Sequence, residues 1–187
     1  QVSIGVNGTT GRHSMRLVNT RFSLEDKFFW DERASSLEVQ TTLPIQDHVE
    51  MGFSGISGYP DFDSLKRKLA NLDYYKQLFS FVYGDSLVTE QRIQKALAQF
   101  IRSIQSFDSK FDSGMAQAPN INSDFTNFTN GENAGKRLFL DQSLIDSLGV
   151  RIGGGLSCTG CHNAPEFDIN PISGANGINR KIGGGRD

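Results

Sequence analysis

The chain has 187 residues and a formal net charge of −2, from 19 Lys and Arg against 21 Asp and Glu. That balance gives no electrostatic case for nucleic acid as a partner, and no run of 18 apolar residues exists, so the sequence holds no transmembrane segment. Hydrophobic residues make up a lean 37%, yet there are 14 Phe and 20 Gly, which suits a core built around a large flat cofactor instead of stacked aliphatic side chains.

Residues 1–22, with Gly5, Gly8 and Gly11 among Ser, Thr and Asn, read as ordered loop, neither strand nor helix. Arg12-His13-Ser14-Met15-Arg16 brings two cations, an imidazole and a thioether together. It is either a solvated loop or a wall that holds the carboxylates of a bound group, for which Arg is a good partner. Phe28-Phe29-Trp30-Asp31-Glu32-Arg33 is an aromatic core plug or, through the only Trp of the chain, an electron relay. A short helix is predicted from Ser35 to about Gln46, with Ser35 or Ser36 as cap, Glu38 in the first turn and Pro44 ending or bending it. Leu37 and Thr41 share one of its faces, as do Val39 and Leu43. Glu50 follows in a turn between Val49 and Met51; desolvation there would raise its pKa and suit it to carry protons, although composition alone favours an ordinary exposed loop carboxylate.

Asp61 or Asp63 caps a predicted helix through about Leu72, with Leu65, Leu69 and Leu72 on one stripe. A second helix runs from Asp73 to Tyr83, carries Tyr74, Leu78, Phe79 and Phe81 as core, and is stopped by Gly84. The longest helix is predicted from Thr89 to about Ser106, with Ile93, Ala96, Leu97, Phe100, Ile101 and Ile104 on a broad apolar face. The composition of 109–123 suggests a linker, with a domain boundary near 118. Another helix opens at Asn130 or Glu132 and runs to about Phe139; Gly135 in it would let a second backbone approach closely. Residues 140–157 read as a connection.

The chain then reaches Cys158-Thr159-Gly160-Cys161-His162, which uses both of its cysteines. Each thiol can add to one vinyl group of a porphyrin, and the tight turn places the His162 imidazole as an axial ligand to the iron. A redox dithiol would normally open a helix after a strand, which is not predicted here. A zinc site would want a second ligand pair at short spacing, and none exists. The motif therefore reads as covalent haem c attachment, with His162 as metal ligand. Because thioether attachment takes place outside the bacterial cytoplasm, it also implies an exported, periplasmic protein.

With these residues in view, the sequence resembles bacterial di-haem cytochrome c peroxidases, in the wider family that includes MauG-like enzymes. The resemblance is carried by Ser3-Ile4-Gly5, Gly11 to Asn19, Phe28 to Ala34, Leu37-Glu38-x-Gln40, Pro44-Ile45 and Val49 to Gly52. It continues through Phe107 to Asp112, Gly135-x-x-Leu138-Phe139 and Cys158 to Pro165. It implies a mostly α fold of cytochrome c-like haem domains with long loops. Residues 1–118 would be part of the N-terminal, peroxidatic haem domain without its own attachment motif. Residues 119–187 would begin the C-terminal electron-transfer domain. By the same resemblance Glu50 would move a proton from the near to the far peroxide oxygen and Gln40 would donate a hydrogen bond. Trp30 would relay electrons between two haems, Arg12 would hold a haem propionate, and Cys158, Cys161 and His162 would bind the electron-transfer haem.

The implied partners are hydrogen peroxide and a small electron-donor protein, a cytochrome c or a cupredoxin; a homodimer is allowed. A second haem is expected in the complete protein. The calcium of the family is not supported, since His13 stands where an Asn contributes to it. Val6 stands where many members place a His that gates the peroxidatic iron. Two alternatives stay open: a mono-haem c-type electron carrier, and a MauG-like oxidase of another substrate.

Overall fold

The computed structural model describes residues 2–24 and 26–169. Among these residues the fold is mostly helical, and five of its six helices open on a side chain that accepts a hydrogen bond from the first turn. Helix α1 (Leu37–Gln46) is capped by Ser36, α2 (Phe62–Ala70) by Asp61, and α4 (Glu90–Ser103) by Thr89. Between them α3 (Asp73–Tyr83) lacks such a cap and ends at Gly84, whose φ of 83° is the left-handed conformation that terminates helices. The last two, α5 (Lys110–Met115) and α6 (Asn130–Leu140), both start with a capping box, Ser109 with Asp112 and Thr129 with Glu132.

The chain divides into two packed units. The first holds 2–21 and 26–104 of the described residues. Its core is Ile45, Phe62, Phe79, Val88 and Ile93, with Phe53, Leu65, Leu69, Tyr75, Tyr83 and Leu97 packed around them. Helices α1 and α4 meet through a polar seam. Thr42, 1% exposed, donates to Glu90 at 3.1 Å and accepts from Gln94 at 2.9 Å, and Gln46 donates to Glu90 at 2.8 Å. The buried set of α1 is therefore Leu37, Thr42 and Ile45, not the Leu37/Thr41 and Val39/Leu43 faces expected, because its partner helix offers hydrogen bonds where an aliphatic face was sought. Pro44 lies inside α1, which continues to Gln46. The N-terminal stretch, expected to be loop, contains a two-residue hairpin, β1 (Ile4–Gly5) with β2 (Gly8–Thr9), and a 3-10 turn at Thr20–Phe22.

Several predicted core residues are on the surface. Tyr74 and Leu78 of α3 are exposed and Phe81 is 89% exposed; on α4, Ala96 and Phe100 are exposed. Within the first unit only Phe79 of the α3 aromatics is buried, since a helix packed on one side has room for about a third of its circumference in a core. Helix α2 stops at Ala70, and Leu72 lies at the head of α3, not on the α2 stripe.

The second unit holds Phe22–Leu24 and 105–169 of the described residues. The stretch read as linker contains α5, and packing parts the chain at Ile104/Gln105, ahead of the composition change near 118. The reason is an aromatic cluster that composition does not reveal. Phe125, 1% exposed, has Phe111 at 5.3 Å and Phe128 at 5.1 Å, and Phe167 joins Phe111 at 5.2 Å and Phe139 at 5.4 Å. A Cβ on Gly114 would overlap the Phe125 ring, so that glycine brings α5 against the cluster. Gly135, expected to admit a neighbouring backbone, has open space beside it. The connection 140–157 is largely a hairpin, β3 (Ser143–Ile145) with β4 (Arg151–Gly154).

Candidate functional site

Each unit brings one group of the expected residues together. In the first, Arg12, His13, Met15, Trp30, Gln40 and Glu50 line a single cavity of about 860 Å³. Glu50 is placed by its own turn. The Asp47 carboxylate accepts from the backbone N–H of Val49 at 2.8 Å and of Glu50 at 2.9 Å, and the N–H of Gly52, at φ 77°, donates to the Asp47 carbonyl at 2.8 Å. The β1–β2 hairpin buttresses that turn: the N–H of Val6 donates to the Glu50 carbonyl at 3.0 Å and that of Asn7 to the Val49 carbonyl at 3.2 Å. A Cβ on Gly5 would overlap the Val49 carbonyl, so only glycine permits this approach. Glu50 itself is half-buried. Desolvation, then the nearby Asp47 charge, pushes its carboxyl above the ordinary range, and Arg33 acts against them. The composition-based reading of an ordinary loop Glu is thereby corrected: the surface that desolvates it comes from distant segments.

Gln40 projects from α1, and its Nε2 donates to Met15 Sδ at 3.6 Å. Sequence reasoning named Met15 only as part of a mixed cluster; no local signal pairs residues 25 apart. The aromatic run forms a loop closed by an antiparallel bridge between Phe28 and Ala34. Phe29 and Glu32 both have positive φ, 69° and 56°, which turns Trp30 and Asp31 into the cavity wall. Trp30 Nε1 donates to the His13 carbonyl at 3.1 Å, and the His13 ring meets the indole edge-on at 4.8 Å. Arg12 contacts Asp31 at 2.7 Å and Arg33 contacts it at 2.9 Å. Burial pushes the Asp31 carboxyl up, but hydrogen bonds and charge from Arg12 and Arg33 prevail and hold it below the ordinary range. Arg12 is thus oriented by Asp31, which sequence reasoning did not single out.

In the second unit the motif forms a 3-10 turn over Cys158–Gly160, tied to α6 by Thr159 Oγ1 donating to the Leu140 carbonyl at 3.1 Å. Both thiols are free and part-buried. His162 starts β5 (His162–Asn163), which pairs with β6 (Asp168–Ile169). Its Nδ1 lies 3.0 Å from the Phe167 carbonyl. A carbonyl only accepts, so Nδ1 carries the proton and Nε2 presents a lone pair, the tautomer a metal ligand needs. Phe139 and Phe167, which touch His162 through ring and carbonyl, also line an apolar cavity of about 450 Å³ with Phe111, Phe128 and Leu140. Two free thiols, an oriented imidazole and an aromatic cavity beside them fit a covalently held haem.

The family model described as di-haem cytochrome c peroxidase matches residues 1–120. The chain is similar to the methylamine utilization protein MauG of Methylophilus methylotrophus, 39% identical over 87 residues, or 46% of this chain and 24% of that protein. It is 28% identical over 137 residues to the cytochrome c551 peroxidase of Nitrosomonas europaea, covering 73% of this chain and 33% of the relative. Against the cytochrome c peroxidase Ccp of Escherichia coli it is 28% identical over 176 residues, covering 94% and 35% respectively. The chain thus spans between a quarter and about a third of the length of these relatives.

Proposed function

The chain belongs to the di-haem cytochrome c peroxidase family, and from that premise we propose that it is part of a periplasmic oxidoreductase that reduces hydrogen peroxide to water. The electrons come from a small c-type cytochrome or a cupredoxin. The observation that carries the proposal is the sharing of one cavity by Arg12, Trp30, Gln40 and Glu50. The family resemblance implies a role for each of these four residues.

In this reading the first unit contributes the peroxide-facing wall and the second the attachment of an electron-transfer haem c. When bound, haem supplies an iron that polarises peroxide and accepts single electrons. The chain does the rest. Glu50 would take the proton from one peroxide oxygen and give it to the other, so that this second oxygen departs as water, while two electrons from the donor and two further protons would convert the first to water. Its raised pKa brings proton uptake and release closer to each other in energy. Gln40, steadied at Met15, donates a hydrogen bond to the peroxide. Arg12, braced by Asp31, is the partner for a haem propionate. Trp30 would relay electrons toward the peroxide site, and Cys158, Cys161 and His162 would hold the haem that supplies them.

Peroxide-dependent oxidation of reduced cytochrome c by the full-length protein tests this. Glu50→Ala should lower turnover by at least about 100-fold, and an unchanged rate would refute the assignment. A second reading is oxidation of another substrate on the same scaffold. It is favoured by the higher identity to MauG, 39% against 28% for the two peroxidases, and by Val6 in place of a gating His. It predicts haem oxidation by peroxide without turnover of any cytochrome or cupredoxin donor.

A further inference from the structure

Lys136 is a cation buried in the second unit, 8% exposed, and the reading above leaves it without a role. It lines the apolar cavity that Phe139 and Phe167 border beside the haem-attachment turn. Its Nζ donates to the Ile121 carbonyl at 2.6 Å and to the Ser123 carbonyl, and lies 3.7 Å from the centroid of the Phe125 ring. An ammonium has three N–H groups, and here it has two carbonyls and one π face to receive them. A neutral amine would turn its lone pair on one of those acceptors. The arrangement is therefore built for the charged form, although burial pulls its pKa down and Asp124 only partly opposes this.

Neighbouring charges do not cancel it. The Glu132 carboxylate, in the same cavity wall, is taken by Lys110 at 2.6 Å, and Asp124 is taken by Arg137. Among the described residues Lys136 makes no ion pair of its own. Nor is it needed to hold the 121–125 segment onto α6. Asn133 already does so, accepting from the Phe125 N–H at 2.9 Å and donating to the Phe125 carbonyl at 3.1 Å. A Leu or Met would line the cavity without the penalty of burying a charge.

We propose that Lys136 is a tuning residue for the haem held by Cys158, Cys161 and His162: a fixed positive charge in a low-dielectric wall that stabilises the reduced iron and raises its midpoint potential. The inference rests on the haem reading. Losing an electron adds one positive charge to the iron, and a nearby unscreened cation makes that step less favourable. The haem so tuned draws electrons more completely from its donor.

The test is spectroelectrochemical titration of the haem-loaded full-length protein, with haem counted beforehand as pyridine haemochrome. Lys136→Met should shift the oxidised-to-reduced ratio at fixed potential toward oxidised by about three- to tenfold, a tenfold change being about 59 mV for one electron. Lys136→Arg, which keeps the charge, should stay near wild type. Lys136→Met without a shift overturns the inference, and so does Lys136→Arg falling as far as Lys136→Met, which would make the effect one of packing. A wild-type protein that carries no covalent haem overturns the underlying reading instead.

Discussion

Glu50 owes its chemistry to its neighbours more than to its own side chain. Desolvation and the Asp47 charge both raise its pKa, so the acid limb of a pH–rate profile for peroxide turnover should lie above the ordinary Glu value of 4.5. The proton-accepting form is the carboxylate, so turnover falls as pH drops through that limb. Asp47→Asn removes a like charge while keeping an oxygen that can accept from Val49 and Glu50. The limb should then move to lower pH with the plateau rate little changed; a limb that stays in place would leave desolvation as the only cause. The sequence offered a desolvated Glu50 as one of two readings, and local composition could not decide between them, because the cavity it lines is shared with residues 3–17 and 29–33. The resemblance singled out Gln40, but nothing in the sequence paired it with Met15. A hydrogen bond to sulfur across 25 residues leaves no periodicity behind.

At the scale of elements, helix ends were the most legible feature, since a cap is a local interaction between residues three apart. The caps Ser36, Asp61 and Thr89 fall on residues the sequence offered as helix starts, and Thr129 stands one residue before the expected Asn130. Capping has a pH signature at α6. Lys110, then the Thr129 N–H, holds the Glu132 carboxyl at about 2, from an ordinary 4.5. A depressed carboxyl contributes stability that is present above its unfolded pKa and lost as pH falls toward its folded one. Glu132→Gln should therefore lower the melting temperature at neutral pH, with the difference fading below pH 4.5 and gone near 2. Equal destabilisation at both ends of that range would assign the effect to shape alone. What composition could not reveal was α5, hidden in a stretch rich in Ser, Gly and Asp. Its existence depends on Gly114 fitting under Phe125. Gly114→Ala should cost about 1–3 kcal/mol by overpacking, despite the better helix propensity of Ala, measurable as a lower denaturant midpoint at unchanged slope.

For the molecule as a whole, the haem-attachment motif was legible in the sequence and the partition of the chain was not. Cys158-Thr159-Gly160-Cys161-His162 is contiguous, so its chemistry can be read without a fold. The division between units depends on which Phe rings meet, and fourteen of them in one chain give no clue to their pairing. The excess of Phe, read as room for a flat cofactor, is partly spent on a cluster of Phe111, Phe125, Phe128, Phe139 and Phe167 in the second unit. At this scale the proposed function turns on Trp30, which would relay electrons toward the peroxide site. Its indole N–H is bound to the His13 carbonyl and its ring is held edge-on by His13, so it is fixed in place by polar and aromatic contacts at once. Trp30→Phe keeps an aromatic ring of nearly the same reach but removes the N–H and the more easily oxidised indole. If Trp30 is the relay, the variant should keep its haem spectrum and its Glu50-dependent reaction with the first equivalent of peroxide, measured by rapid mixing. Steady-state turnover with a reduced protein donor should fall sharply, because the peroxide site can no longer be recharged. If turnover and the first reaction instead fall together, Trp30 is a structural plug of the cavity wall, and electrons take another route.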